Sequence, residues 1–96
     1  MALGKSGTKP KNVPDDPPRP LGAPGRRIWE RYVGLPADDV ALAAELADEH
    51  YILRARVIKD GDPIDRRALR DIEISLDNRL RQLDLARDWI DYEAAR

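Results

Sequence analysis

Residues 60–93 read DGDPIDRRALRDIEISLDNRLRQLDLARDWIDYE, and the fold turns on how that stretch begins and repeats. Asp60 and Gly61 break the chain. Asp62 then supplies an N-cap, Pro63 suits the first helical position, and Asp65 places an acid in the first turn. From there Leu69, Ile72, Leu76, Leu80, Leu83 and Ile90 recur at steps of three, four and seven, which keeps them on one face of a helix. The pattern predicts a helix from Pro63 to near Glu93, roughly 45 Å long at ~1.5 Å per residue.

Such a seam needs a partner, and the segment before it provides one. Pro36 opens a second helix that carries Asp38 and Asp39 in its first turn, near the positive end of the helix dipole, and runs to about Lys59. Leu42, Leu46, Leu53 and Val57 form one apolar stripe, with Val40, Ala44, Ala47, Tyr51 and Ile58 beside it. Together they cover roughly half the circumference at about 100° per residue, a face wide enough to need two neighbours. The long helix packs against it as an antiparallel hairpin. The second neighbour is a short helix from Pro24 or Gly25 to Val33, ended by Gly34, Leu35 and Pro36, with Ile28, Trp29 and Tyr32 on one face.

The long helix carries a second stripe as well. Ile74, Leu85, Trp89 and Tyr92 fall within about 60° of one another on its far side, where the hairpin partner does not reach. Either the first helix folds over part of this stripe through Trp29 and Tyr32, or the stripe is an oligomer or partner interface, for which aromatic anchors are suited.

Upstream of the helices the composition changes. Residues 1–32 hold six of the eight prolines and seven basic residues against three acidic ones; the rest of the chain holds ten against fifteen. The net charge of −1 thus conceals a basic end and an acidic body. Repeated Pro and Gly over residues 1–23 oppose helix propagation and bury little apolar surface, so this segment reads as a disordered basic arm. The expected architecture is all-α: the arm over residues 1–23, then a helical domain over residues 24–96 with helices near 24–33, 36–59 and 63–93. About 65 ordered residues make a marginal core, and self-association is the expected remedy.

Several function classes find no support. The chain has no Cys, hence neither disulfides nor thiolate metal sites, and it contains no apolar run of spanning length. Lys5, Lys9 and Lys11 are not followed by the apolar stretch of a secretory signal, so a cytoplasmic protein is expected. His50, the single histidine, lies within the broad apolar face of the second helix and reads as a packed core residue rather than a general base. Gly4, Lys5 and Ser6 echo the end of a phosphate-binding loop without its earlier glycine or preceding strand. Asp60, Asp62, Asp65 and Asp71 resemble a calcium loop, but Pro63 and Ile64 occupy its middle and Asp65 stands where the turn glycine belongs. No metal, no other cofactor and no enzymatic activity are expected.

Binding is better supported. Lys5, Lys9, Lys11, Arg19, Arg26, Arg27 and Arg31 gather cations suited to salt-sensitive phosphate contact. A second group at the hairpin tip, Arg54, Arg56, Lys59, Arg66, Arg67 and Arg70, is interleaved with acids and reads as an ion-pair surface. The first two helices do not read as a helix-turn-helix, because Asp38 and Asp39 would confront phosphates where base-reading residues belong.

The order of features, a Pro-rich basic arm, then Gly25-Arg26-Arg27-Ile28-Trp29, an acid-started helix and a long Leu-rich helix, resembles the P27 family of phage terminase small subunits. The resemblance covers roughly residues 22–86, with Leu35 to Leu46 and Ala68 to Leu85 as its later segments. It implies a non-catalytic packaging factor that binds double-stranded viral DNA, assembles into a homo-oligomeric ring and regulates a large terminase subunit in the host cytoplasm. This chain is short for that family and ends soon after its long helix. The alternative from the residues alone is a helical protein-protein interaction module docking through Ile74, Leu85, Trp89 and Tyr92.

Overall fold

In the computed structural model, residues 16–17 and 19–95 are described, and they form an all-α fold of three helices. These are α1 (Ala23–Arg31), α2 (Ala37–Asp60) and α3 (Pro63–Ala95). Lys5, Lys9 and Lys11 of the expected arm lie outside the described residues.

The turn between α2 and α3 follows its sequence chemistry. Gly61 takes a left-handed φ of 67° and its N–H donates to the Val57 carbonyl, closing α2. Asp62 then caps α3, its side-chain Oδ1 accepting the Ile64 N–H at 2.8 Å. The two helices run antiparallel, with Arg56 paired to Asp65 near the turn and His50 to Glu73 further along.

The hydrophobic core lies at the other end of the hairpin. Trp29, Tyr32, Leu35, Val40, Ala41, Ala43 and Leu83 are buried together, with Leu21, Ile28, Leu80 and Ala86 packed against them. Small residues decide this location: Ala43 and Ala44, both 0 % exposed, let α1 and α3 approach α2 closely. α1 packs on one side of the N-terminal half of α2 and α3 on another, so that half has the two neighbours its apolar width requires.

The C-terminal half of α2 departs from expectation. Tyr51 and Ile58 are exposed, because α1 is too short to follow α2 that far. Leu42 is also exposed, and Leu46 and Val57 are half-buried, which leaves Leu53 as the buried member of its stripe. The α3 seam is similarly shallow: Leu69, Ile72, Leu76 and Leu80 are half-buried and Leu83 is buried, whereas Ile90 is exposed. Ile90 lies two turns beyond Leu83, the last buried residue of α3. His50 is not a core residue; it sits at the α2–α3 edge with its side chain 26 % exposed and Nε2 3.0 Å from Glu73 Oε2.

Candidate nucleic-acid interface and open apolar faces

The placement of α1 depends on one carboxylate. α1 starts at Gly22 without a side-chain cap of its own, and Asp48 from the middle of α2 fills that role. One Asp48 oxygen accepts the Gly22 N–H and the other the Gly25 N–H, both at 2.8 Å. These are charge-assisted bonds at the positive end of α1, where a negative charge is stabilised by the helix dipole. Gly25 is buried against this contact: a Cβ there would lie 2.5 Å from Asp48 Oδ2 and 2.8 Å from the Ala44 carbonyl oxygen.

The far end of α1 is tied to α3. The Tyr32 hydroxyl donates to Asp84 Oδ1 at 2.5 Å, and the Arg87 guanidinium donates to the Val33 carbonyl. Burial, followed by the hydrogen bond to Asp84, pushes the Tyr32 phenol up to about 12. The Arg31 guanidinium stands 5.3 Å from the Tyr32 ring centroid and 3.9 Å from Asp84.

With both ends anchored, α1 presents an outer face of Arg26, Arg27, Glu30 and Arg31, all exposed and net positive. Arg26 and Arg27 make no ion pair with an acid among the described residues, and the Arg27 side chain also reaches the wall of a groove beside α2. Arg19 is engaged, its Nε 3.2 Å from Glu45 Oε2 on α2. The described part of the basic set therefore divides into two outward arginines and two that face acids.

The second candidate surface is apolar. Ile74, Leu85, Trp89 and Tyr92 are 53, 70, 61 and 57 % exposed, so α1 does not fold over them. Trp29 and Tyr32 instead go into the core beneath α1. The Trp89 and Tyr92 rings stack with centroids 5.7 Å apart and an interplanar angle of 29°. A third surface was not foreseen as such: a groove of about 590 Å³ where Pro20, Ala23 and Pro24 at the head of α1 meet Tyr51 and Ile52 of α2.

Among the described residues no cluster of three or more potential metal ligands occurs, and no helix is long and apolar enough to cross a membrane. No protein-family model matches the chain, and neither a curated protein nor a solved structure does.

Among the contacts that escaped sequence reading, two hold α1 and the turn after it. Asp48 carried a signal, since it is an acid on the face shared by Ala44 and Tyr51, but its partner is a helix terminus that appears only on folding. Arg87 to Val33 carried none, because the acceptor is a backbone carbonyl 54 residues away.

Proposed function

We propose that this chain is a small terminase subunit: a non-enzymatic factor that binds double-stranded viral DNA, self-assembles and regulates a large packaging subunit. The observation that carries this reading is the outward pair Arg26 and Arg27 on a helix clamped by Asp48. It coincides with the Gly25-Arg26-Arg27-Ile28-Trp29 segment by which the sequence resembles the P27 family. Guanidinium groups on a fixed helix contact the phosphate backbone without base readout, and each contact releases condensed counterions.

The test is fluorescence anisotropy on duplex DNA across a salt series. Replacing both Arg26 and Arg27 by Ala is expected to reduce the slope of log affinity against log salt by about 2, at ~0.9 per phosphate contact. An unchanged slope in a variant with native helicity would remove these arginines from a DNA site.

A second reading is favoured by the exposed Ile74, Leu85, Trp89 and Tyr92: an interaction module that docks another protein. Under it, DNA affinity is negligible in the native chain and indifferent to Arg26 and Arg27, and the first experiment separates the two.

A further inference from the structure

α3 outruns the hairpin. Arg87 ties α3 to the turn after α1 by donating to the Val33 carbonyl, and every residue from 88 to 95 is exposed. These residues extend about 12 Å beyond that tie at ~1.5 Å per residue. The projecting turns carry the stacked Trp89 and Tyr92, joined by Leu85 and Asp88 on the same face. Asp88, Asp91 and Glu93 make this segment acidic, and residues 88–95 contain no base.

The opposite situation holds on α2. The face that carries α1 over its first half continues past Asp48 as Tyr51, Ile52, Ala55 and Ile58, all exposed. It begins at the groove formed with Pro20, Ala23 and Pro24. At 100° per residue Lys59 falls within this stripe, between Ala55 and Ile52, and Arg54 lies along its other edge; both are exposed. Neither pairs with an acid among the described residues. Asp48, the acid at the groove's head, already has its two oxygens committed to Gly22 and Gly25.

We infer that the projecting end of α3 in one copy of this chain seats in the α1–α2 groove and its exposed continuation in the next copy. The inference rests on the self-assembling reading above and supplies its contact. Charge complementarity selects the occupant: an acidic helix end with aromatic anchors meets an apolar stripe that carries Lys59 and has Arg54 along one edge. The two surfaces are different patches on one molecule, so the contact is head-to-tail, and repeating it gives a ring if the rotation closes. Two copies joined by a single such contact still have one free α3 end and one free groove.

Complementation of two broken surfaces tests this. Trp89→Ala combined with Asp88→Lys disables the helix end; Ile52→Asp disables the groove. All three residues are exposed, so far-UV circular dichroism should be unchanged. By native mass spectrometry the wild-type chain is expected to assemble beyond a dimer, each variant alone to fall to the single-chain mass of 10.9 kDa, and an equimolar mixture to stop at a heterodimer. The heterodimer retains one intact contact and has no means to extend. A monomeric wild type, a variant that still assembles, or a mixture that stays monomeric overturns the contact. DNA anisotropy on the same samples separates the two proposals: a monomeric wild type whose DNA binding depends on Arg26 and Arg27 removes the contact and leaves the DNA reading standing.

Discussion

Gly25→Ala should destabilise the fold by about 2–4 kcal/mol, although it places a better helix former inside a helix. Intrinsic propensity favours the substitution by about 1 kcal/mol. Against it stands the space available: the new methyl would sit 2.5 Å from Asp48 Oδ2, 2.9 Å from Asp48 Cγ and 2.8 Å from the Ala44 carbonyl oxygen. The carboxylate can withdraw only by abandoning Gly22 and Gly25, two charge-assisted bonds worth about 1.5–3 kcal/mol each. The Ala44 oxygen is backbone and moves only with α2, an overpacking penalty of about 1–3 kcal/mol. Urea unfolding followed at 222 nm measures the difference. Asp48→Ala in the same molecule supplies the decisive control, because it removes two of the three close atoms together with the bonds at risk. Gly25→Ala should then cost about 1 kcal/mol less or better, a coupling that a double-mutant cycle reads directly. Gly34→Ala should show no such coupling: φ there is 96° with open space around the added methyl, so its cost is backbone strain alone. A Gly25→Ala protein within about 0.5 kcal/mol of wild type, or strict additivity with Asp48→Ala, would refute the account of how α1 is held.

Tyr32 makes stability depend on pH at the alkaline end. Its phenol is raised to about 12 in the folded chain against an ordinary value near 10, so the folded state holds the proton that the unfolded state releases first. The stabilisation is complete below pH ~10 and is lost as pH rises through about 12; urea midpoints across that range should fall, and Tyr32→Phe should flatten the fall. If copies join through α3 and the groove, the native state is also stabilised by mass action, so melting temperature should rise with protein concentration and Ile52→Asp should abolish the dependence. A melting temperature independent of concentration in the native chain would oppose assembly in the measured range.

The hairpin was legible because its signals are local. Asp62, Pro63 and the Leu69-to-Leu83 repeat each act within a few residues, and α2 and α3 begin and end within two residues of where those signals place them. Burial along the helices was less legible, since a stripe drawn on a wheel assumes that a neighbour runs alongside its full length. Leu42, Tyr51, Ile58 and Ile90 obey the helical period yet remain exposed, for lack of packing that a nine-residue α1 and the mismatched ends of α2 and α3 cannot provide. His50 was misplaced for the same reason: the wheel put it on an apolar face, and the folded chain puts it at the edge of that face beside Glu73. At the candidate site, the composition singled out Arg26 and Arg27, but what distinguishes them from Arg19 and Arg31 is the position of Glu45 and Asp84 on other helices.

The distribution of packing separates two tasks within one small body. α1 rests on α2 through Gly25, Ala44 and Asp48, and its turn is locked to α3 by Tyr32 and Arg87, so the arginine-bearing helix is fixed by the well-packed end of the hairpin. The surfaces left open, the projecting end of α3 and the second half of α2, lie on either side of that end rather than within it. Changing Trp89 or Ile52 removes no core atom, whereas changing Asp48 or Gly25 disturbs the seat of α1. The proposed assembly contact and the proposed DNA-facing helix are therefore disabled by different substitutions, and a defect in one is separable from a defect in the other.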